Sequence, residues 1–172
     1  MKIIKPLNYL IIVIYILLNA NYISANSDDI KQVIKIAANK ARLDDKQGIA
    51  TYMGDVIIEQ GTLKINADEV IIKRNQKKEA DLFIATGAPA LYQQELDNKN
   101  LVKAHANTIE YHISGNLVKL LKNAQIESDG NVFTGEQIIY DITAQVINSG
   151  SVAQKNKPNS RINIIIQPQK HD

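Results

Sequence analysis

The side chains able to do chemistry are few and scattered. Three histidines, His105, His112 and His171, are present and no cysteine. Acid–base catalysis needs groups of complementary protonation behaviour held within reach of one another. His105 and His112 only straddle one apolar stretch, and His171 stands near the end of the chain. The sequence holds no HExxH, no Gly-x-Ser-x-Gly and no glycine-rich loop opening a helix, so the usual zinc, serine and phosphate chemistries have no anchor. The carboxylates Asp55, Glu59, Asp68 and Glu69 are of a kind that pairs in glycosidases or ligates calcium. Their scatter at the ends of apolar alternations fits turns better, and His105 beside Ala106 reads as a strand-end residue. No enzyme is expected, and no cofactor or metal site.

The apolar residues carry the pattern instead. Residues 54–72 read GDVIIEQGTLKINADEVII, in which Val56 and Ile58, Leu63 and Ile65, and Val70 and Ile72 each share a face. A period of two marks strands with one buried side. Gly61 and the run Asn66-Ala67-Asp68 separate the pieces with residues that tolerate turns or bends. The same reading places strands at 33–38, 49–52, 80–93, 101–113, 117–128, 132–142, 146–152 and 161–167. Gly87-Ala88-Pro89 interrupts the third of these, where a proline demands an edge, a bulge or a strand start. Ser114-Gly115-Asn116 and Asp129-Gly130-Asn131 are turns. Residues 42–48 read as a charged turn and 94–100 as a loop.

A repeat emerges when small-polar pairs are aligned. Ala38-Asn39, Ala67-Asp68, Ala106-Asn107 and Gly135-Glu136 are spaced by 29, 39 and 29 residues. Each leads into an apolar alternation, with Gly54, Gly87, Asn123 or Gly150 following some way on. This points to a stacked or coiled β architecture rather than a closed barrel; four ordinary hairpins with similar turn chemistry would leave the same trace.

The chain has 172 residues, one domain's length. Lys2 and Lys5 precede an apolar run at 10–18, and a cleavage point after Ala25 completes the layout of a signal peptide. The run is shorter than the roughly 20 residues that span a bilayer. Ile23, third before the cut, is larger than the small residue preferred there, so a retained anchor is the competing reading. Residues 1–25 are thus assigned to targeting, 26–32 to a loose polar lead-in, 33–167 to the β domain and 168–172 to a tail. Of 20 basic residues, removal of Lys2 and Lys5 leaves 18 against 18 acidic. A neutral chain without a basic stripe is no nucleic-acid binder.

Gly54-Asp55-Val56, Gln60-Gly61-Thr62, Ile65-Asn66-Ala67-Asp68 with Val70, Gly87-x-Pro89-Ala90, His105-Ala106 and Tyr111 together resemble the OstA-like family of periplasmic lipopolysaccharide-transport proteins, from about Val33 to Gly150. The resemblance implies an all-β fold, a twisted and incompletely closed β-jellyroll of about sixteen short antiparallel strands. It also implies lipopolysaccharide as ligand, with an LptC-like inner-membrane component and an LptD-like outer-membrane translocon as partners. By position, Ile34, Ile36, Tyr92, Tyr111 and Ile113 would line the lipid-binding interior, and Val56, Ile58 and Ile65 join them from the alternation. Residue 151 onward matches weakly. A membrane-anchored component of the same machine and a β-solenoid carbohydrate-active enzyme are the alternative readings.

An open sheet leaves a first and a last strand whose backbone groups invite pairing with another chain. Val33, Ile34, Lys35 and Ile36 at one end carry a single charge, and Ile162, Ile164, Ile165 and Ile166 at the other carry none. Head-to-tail association of copies is therefore expected. Such a contact is heterologous and propagates as a filament rather than closing as a dimer; the competing arrangement folds the last strand back onto its own chain.

Overall fold

The computed structural model describes residues 29–96, 99–150 and 161–168; the targeting segment expected at 1–25 lies outside them. Ten strands make one antiparallel sheet: β1 (Lys35–Ala37), β2 (Lys40–Asp44), β3 (Ile49–Gln60), β4 (Leu63–Arg74), β5 (Ala80–Glu95), β6 (Leu101–His112), β7 (Leu117–Ser128), β8 (Asn131–Asp141), β9 (Val146–Gly150) and β10 (Asn163–Ile165). From β3 to β8 each strand pairs with its sequence neighbours. The two short strands at each end share one long partner, β1 and β2 on β3, and β9 and β10 on β8.

Each interior pairing carries an irregularity near its middle: between Met53 and Val56, Asn66 and Glu69, Thr86 and Ala90, His105 and Thr108, and Leu121 and Ala124. Bulges bend a strand and sharpen its twist. In register across the sheet they form a crease that divides it into two leaves. The first leaf contains 49–53, 69–73, 82–86, 108–112, 117–121 and 137–141, flanked by β2 and β9. The second contains 57–60, 63–66, 91–95, 101–105, 124–128 and 131–135, flanked by β1 and β10. Eight half-strands to a leaf give the sixteen short strands expected of the jellyroll. No pairing among the described residues joins the β1–β2 edge to the β9–β10 edge, so the roll is incompletely closed.

The small-polar pairs that suggested a repeat are the crease itself. Asn39 stands between β1 and β2, where its backbone N–H donates to Gly54 O at 3.0 Å and its side chain to Asp55 at 3.2 Å. Asn123 donates to Asn107 in the same way, also at 3.2 Å. Gly54 lies at φ +78°, and a Cβ there would come 2.7 Å from the Asn39 amide. The expected repeat thus takes the form of a two-leaf meander, one open sheet in which every second crease crossing recurs. The longer interval, 39 residues, spans β5, the longest strand at 16 residues.

Alternation within each half-strand fills the space between the leaves. Val56, Ile58, Leu63, Ile65, Tyr92, Val102 and Ile126 come from the second leaf and Val70, Phe83, Ile109, Tyr111, Val118, Leu120, Ile138 and Tyr140 from the first, all at 1% exposure or less. Several boundaries differ from the sequence reading, the first strand, read at 33–38, being only Lys35–Ala37. Residues 42–44, read as part of a turn, belong to strand β2 (40–44), since pairing with 49–53 satisfies their backbone while their side chains stay mostly exposed. Gln94 and Glu95 belong to β5. Of 161–167 only Asn163–Ile165 is strand, paired with 132–134 of its own chain, as the fold-back arrangement requires.

Candidate functional site: the interior between the leaves

Of the residues assigned to a lipid-binding interior, Val56, Ile58, Ile65, Tyr92 and Tyr111 are fully buried between the leaves, and Ile113 is 9% exposed where β6 ends. Ile34 and Ile36 are half-buried at the β1 edge and pack against the same core. One continuous apolar interior therefore connects all eight residues. It is packed by side chains from both leaves. Backbone pairing runs within each leaf, and the faces meet through side chains. Tyr111 stands edge-on to Phe83, 6.0 Å between ring centroids, and to Tyr92 across the interior at 6.3 Å. Such edge-to-face contacts hold buried apolar area in a preferred geometry.

Sequence reasoning missed the element that covers this interior beside Tyr92. Residues Asp29–Lys31, expected as loose lead-in, form a 3-10 turn, and Asp29 is only 4% exposed. Its carboxylate accepts from the Thr62 backbone N–H at 2.8 Å, the Thr62 hydroxyl at 2.6 Å and the Gln94 amide at 2.8 Å. Gln94 in turn accepts from the Tyr92 hydroxyl, and Gln60 donates to Gln32 O at 3.2 Å. The turn thus sits where the β3–β4 connection meets the end of β5, on the rim of the second leaf. Burial, with smaller contributions from Tyr111, Tyr140 and Asp29, holds the Tyr92 phenol well above its ordinary pKa. Burial and then Asp29 push Tyr111 up to about 12. The signals available in sequence were Gly61, whose φ of +60° and contact with the Asp29 carboxylate leave no room for a Cβ, and Thr62 after it.

The titratable candidates are on the outer surface. His112 faces Glu110 at 3.3 Å, Glu59 pairs with Lys64 at 3.3 Å, Asp55 accepts from Asn39, and Asp68 and Glu69 sit at the crease. Asp55 and Asp68 line one shallow outer cleft with Ile57, Pro89 and Leu91, and among the described residues no cluster of three metal-ligating side chains occurs. His105 lines an outer cleft of about 520 Å3 with Lys64, Leu91, Lys103 and Glu127. His171 lies outside the described residues. At the sheet edges Val33, Ile164, Ile165 and Ile166 are exposed, with Ile166 at 73%; Ile162 precedes β10 and is also exposed, and Lys35 is the exposed charge of β1.

Residues 35–146 match the family described as LptA/(LptD N-terminal domain) LPS transport protein. The lipopolysaccharide export system protein LptH of Pseudomonas aeruginosa is 38% identical over 145 residues, covering 83% of this chain and 83% of that protein. The corresponding LptA of Escherichia coli K12 is 32% identical over 122 residues, 70% of this chain and 66% of its own length. A crystal structure of LptH, titled the LptA homologous periplasmic component of the conserved lipopolysaccharide transport device from P. aeruginosa, superposes with a TM-score of 0.75 at 38% identity, covering 81% of this chain and 99% of that one. These relatives are transport proteins rather than enzymes.

Proposed function

The chain belongs to the family of LptA and LptD N-terminal-domain lipopolysaccharide transport proteins, and from that premise we propose that it works in the periplasm as a bridge, passing lipopolysaccharide through the interior between its leaves. The observation that carries this reading is the continuous apolar face contributed by every long strand, from Ile36 at one edge to Tyr140 near the other. Burying a methylene gains about 0.8 kcal/mol, so a twelve-carbon chain gains on the order of 10 kcal/mol before ordering costs. A lipid with several such chains cannot travel in water. It can slide along an apolar interior, exchanging like contacts for like, while an ATPase elsewhere supplies direction.

In this reading the crease is the hinge and the leaves open and close about it, since side-chain packing rather than a backbone ladder holds their faces together. Ile34, Ile36, Val56, Ile58, Ile65, Tyr92, Tyr111 and Ile113 contact acyl chains. The β1–β2 edge meets an LptC-like inner-membrane component or the preceding copy, and the β9–β10 edge meets the next copy or an LptD-like translocon. The test is to purify the protein from a lipopolysaccharide-producing host and analyse the extracted lipid by mass spectrometry. Lipopolysaccharide in the extract supports the reading. Protein that emerges lipid-free, and still takes up none when purified lipopolysaccharide is offered, overturns it.

A further inference from the structure

Two buried tyrosine hydroxyls of the interior are treated differently. That of Tyr92 is absorbed into the Gln94–Asp29 network. Tyr140 is 1% exposed, and among the described residues its hydroxyl has no hydrogen-bond partner. An unpartnered buried hydroxyl is a net cost to the fold. Phenylalanine would fill the same space without it, so packing alone gives no reason for tyrosine here. Tyr140 stands on β8 in the first leaf, between Val118 of β7 and Ile147 of β9. The ring lies wholly within the buried core, inside the space assigned above to acyl chains.

We propose that the Tyr140 hydroxyl donates a hydrogen bond to the carbonyl of an acyl ester or amide linkage when a lipid lies between the leaves. The inference rests on the lipid-transport reading and adds to it a polar contact that distinguishes an acylated lipid from plain hydrocarbon. Acyl chains need only apolar contact, but the carbonyl joining each to its sugar loses water as it enters. A buried donor with no protein partner among the described residues repairs that loss. It stays protonated, because burial first and Asp141 next raise its pKa. A single neutral donor holds the linkage weakly enough to release it, as a conduit requires.

The test compares Tyr140→Phe with the parent protein in two measurements. The unliganded variant should be the more stable to heat, because a cost to the fold is gone. Its retention of purified lipopolysaccharide through gel filtration should fall about five-fold, one hydrogen bond's worth. An ether-linked amphiphile of matched chain length, which lacks the carbonyl, should bind both proteins equally. Unchanged lipopolysaccharide retention overturns the proposal. So does lower stability of the unliganded variant, which would mean that the hydroxyl already has a resident partner such as a buried water. Failure of the parent protein itself to retain lipopolysaccharide would instead strike the transport reading.

Discussion

Tyr92 and Tyr111 stand on different leaves, yet their rings meet edge to face with centroids 6.3 Å apart and planes inclined at 64°. The pair closes the interior that the crease alone would leave ajar. Each half of the contact rests on its own strand neighbours, Ile65 and Ala104 beside Tyr92, Phe83 and Val118 beside Tyr111. Tyr111→Ala removes the contact and opens a cavity, which should cost about 3–5 kcal/mol in equilibrium urea unfolding. Tyr92→Phe keeps the ring and loses only the bond to Gln94, about 1 kcal/mol. Equal losses from the two changes would mean that the hydroxyl network, not the ring contact, holds the leaves together.

The turn around Asp29 should behave as part of the folded body. Asp29→Ala strands the Thr62 N–H and the Gln94 amide, at a cost of about 1–3 kcal/mol. Gly61→Ala combines a left-handed backbone with a clash against the Asp29 carboxylate, and should expel the turn. Urea midpoints for both variants check this. A wild-type midpoint for Asp29→Ala would show that the turn adds nothing to the interior it covers.

Alkaline pH should loosen the protein through its interior tyrosines. Tyr111 is raised to about 12, chiefly by burial, and Tyr92 and Tyr140 are raised in the same direction. Between the unfolded value near 10 and the folded one the native state holds more protons than the unfolded state, so stability falls as pH rises. It is fully present below about pH 10. Urea midpoints should therefore drop between about pH 10 and 12, and tyrosinate absorbance should appear late for these phenols. The drop should shrink in Tyr111→Phe, and an unchanged drop would assign it to other groups.

Self-association should involve the strands at the two edges. The β10 strand folds back onto β8 over three residues, which blunts part of the last edge. Val33 at one end and Ile164, Ile165 and Ile166 at the other remain exposed. Light scattering over a range of concentrations should show mass growing beyond a dimer, and deletion of residues 160–172 should leave a folded monomer. A full-length protein that stays monomeric at high concentration would favour a diffusing carrier over a bridge.

Much of this architecture was legible in residues 54–72, where strict alternation sorts Val56, Ile58, Leu63 and Ile65 inward. The small-polar pairs were visible too, but a bulge and a turn use the same residue types, so a crease looked like a repeat of turns. Parity hid the rest. Phe83 and Ala85 face inward before Pro89, Ala90 and Tyr92 after it, and no single alternation frame holds both sets. Strand β2 is charged and exposed, held by pairing rather than burial, so periodicity could not find it. Asp29 was hidden because a polar lead-in and a buried polar cap have the same composition.

The most direct test of transport through the interior places a photoreactive residue at Ile36, Tyr111, Lys73 or Glu110, one at a time, and measures crosslinking to lipopolysaccharide. Ile36 and Tyr111 pack in or against the core, whereas Lys73 and Glu110 point outward from the first leaf. Crosslinks at Ile36 and Tyr111 with none at Lys73 and Glu110 are the expected result. Equal crosslinking at all four positions would contradict a lipid path between the leaves.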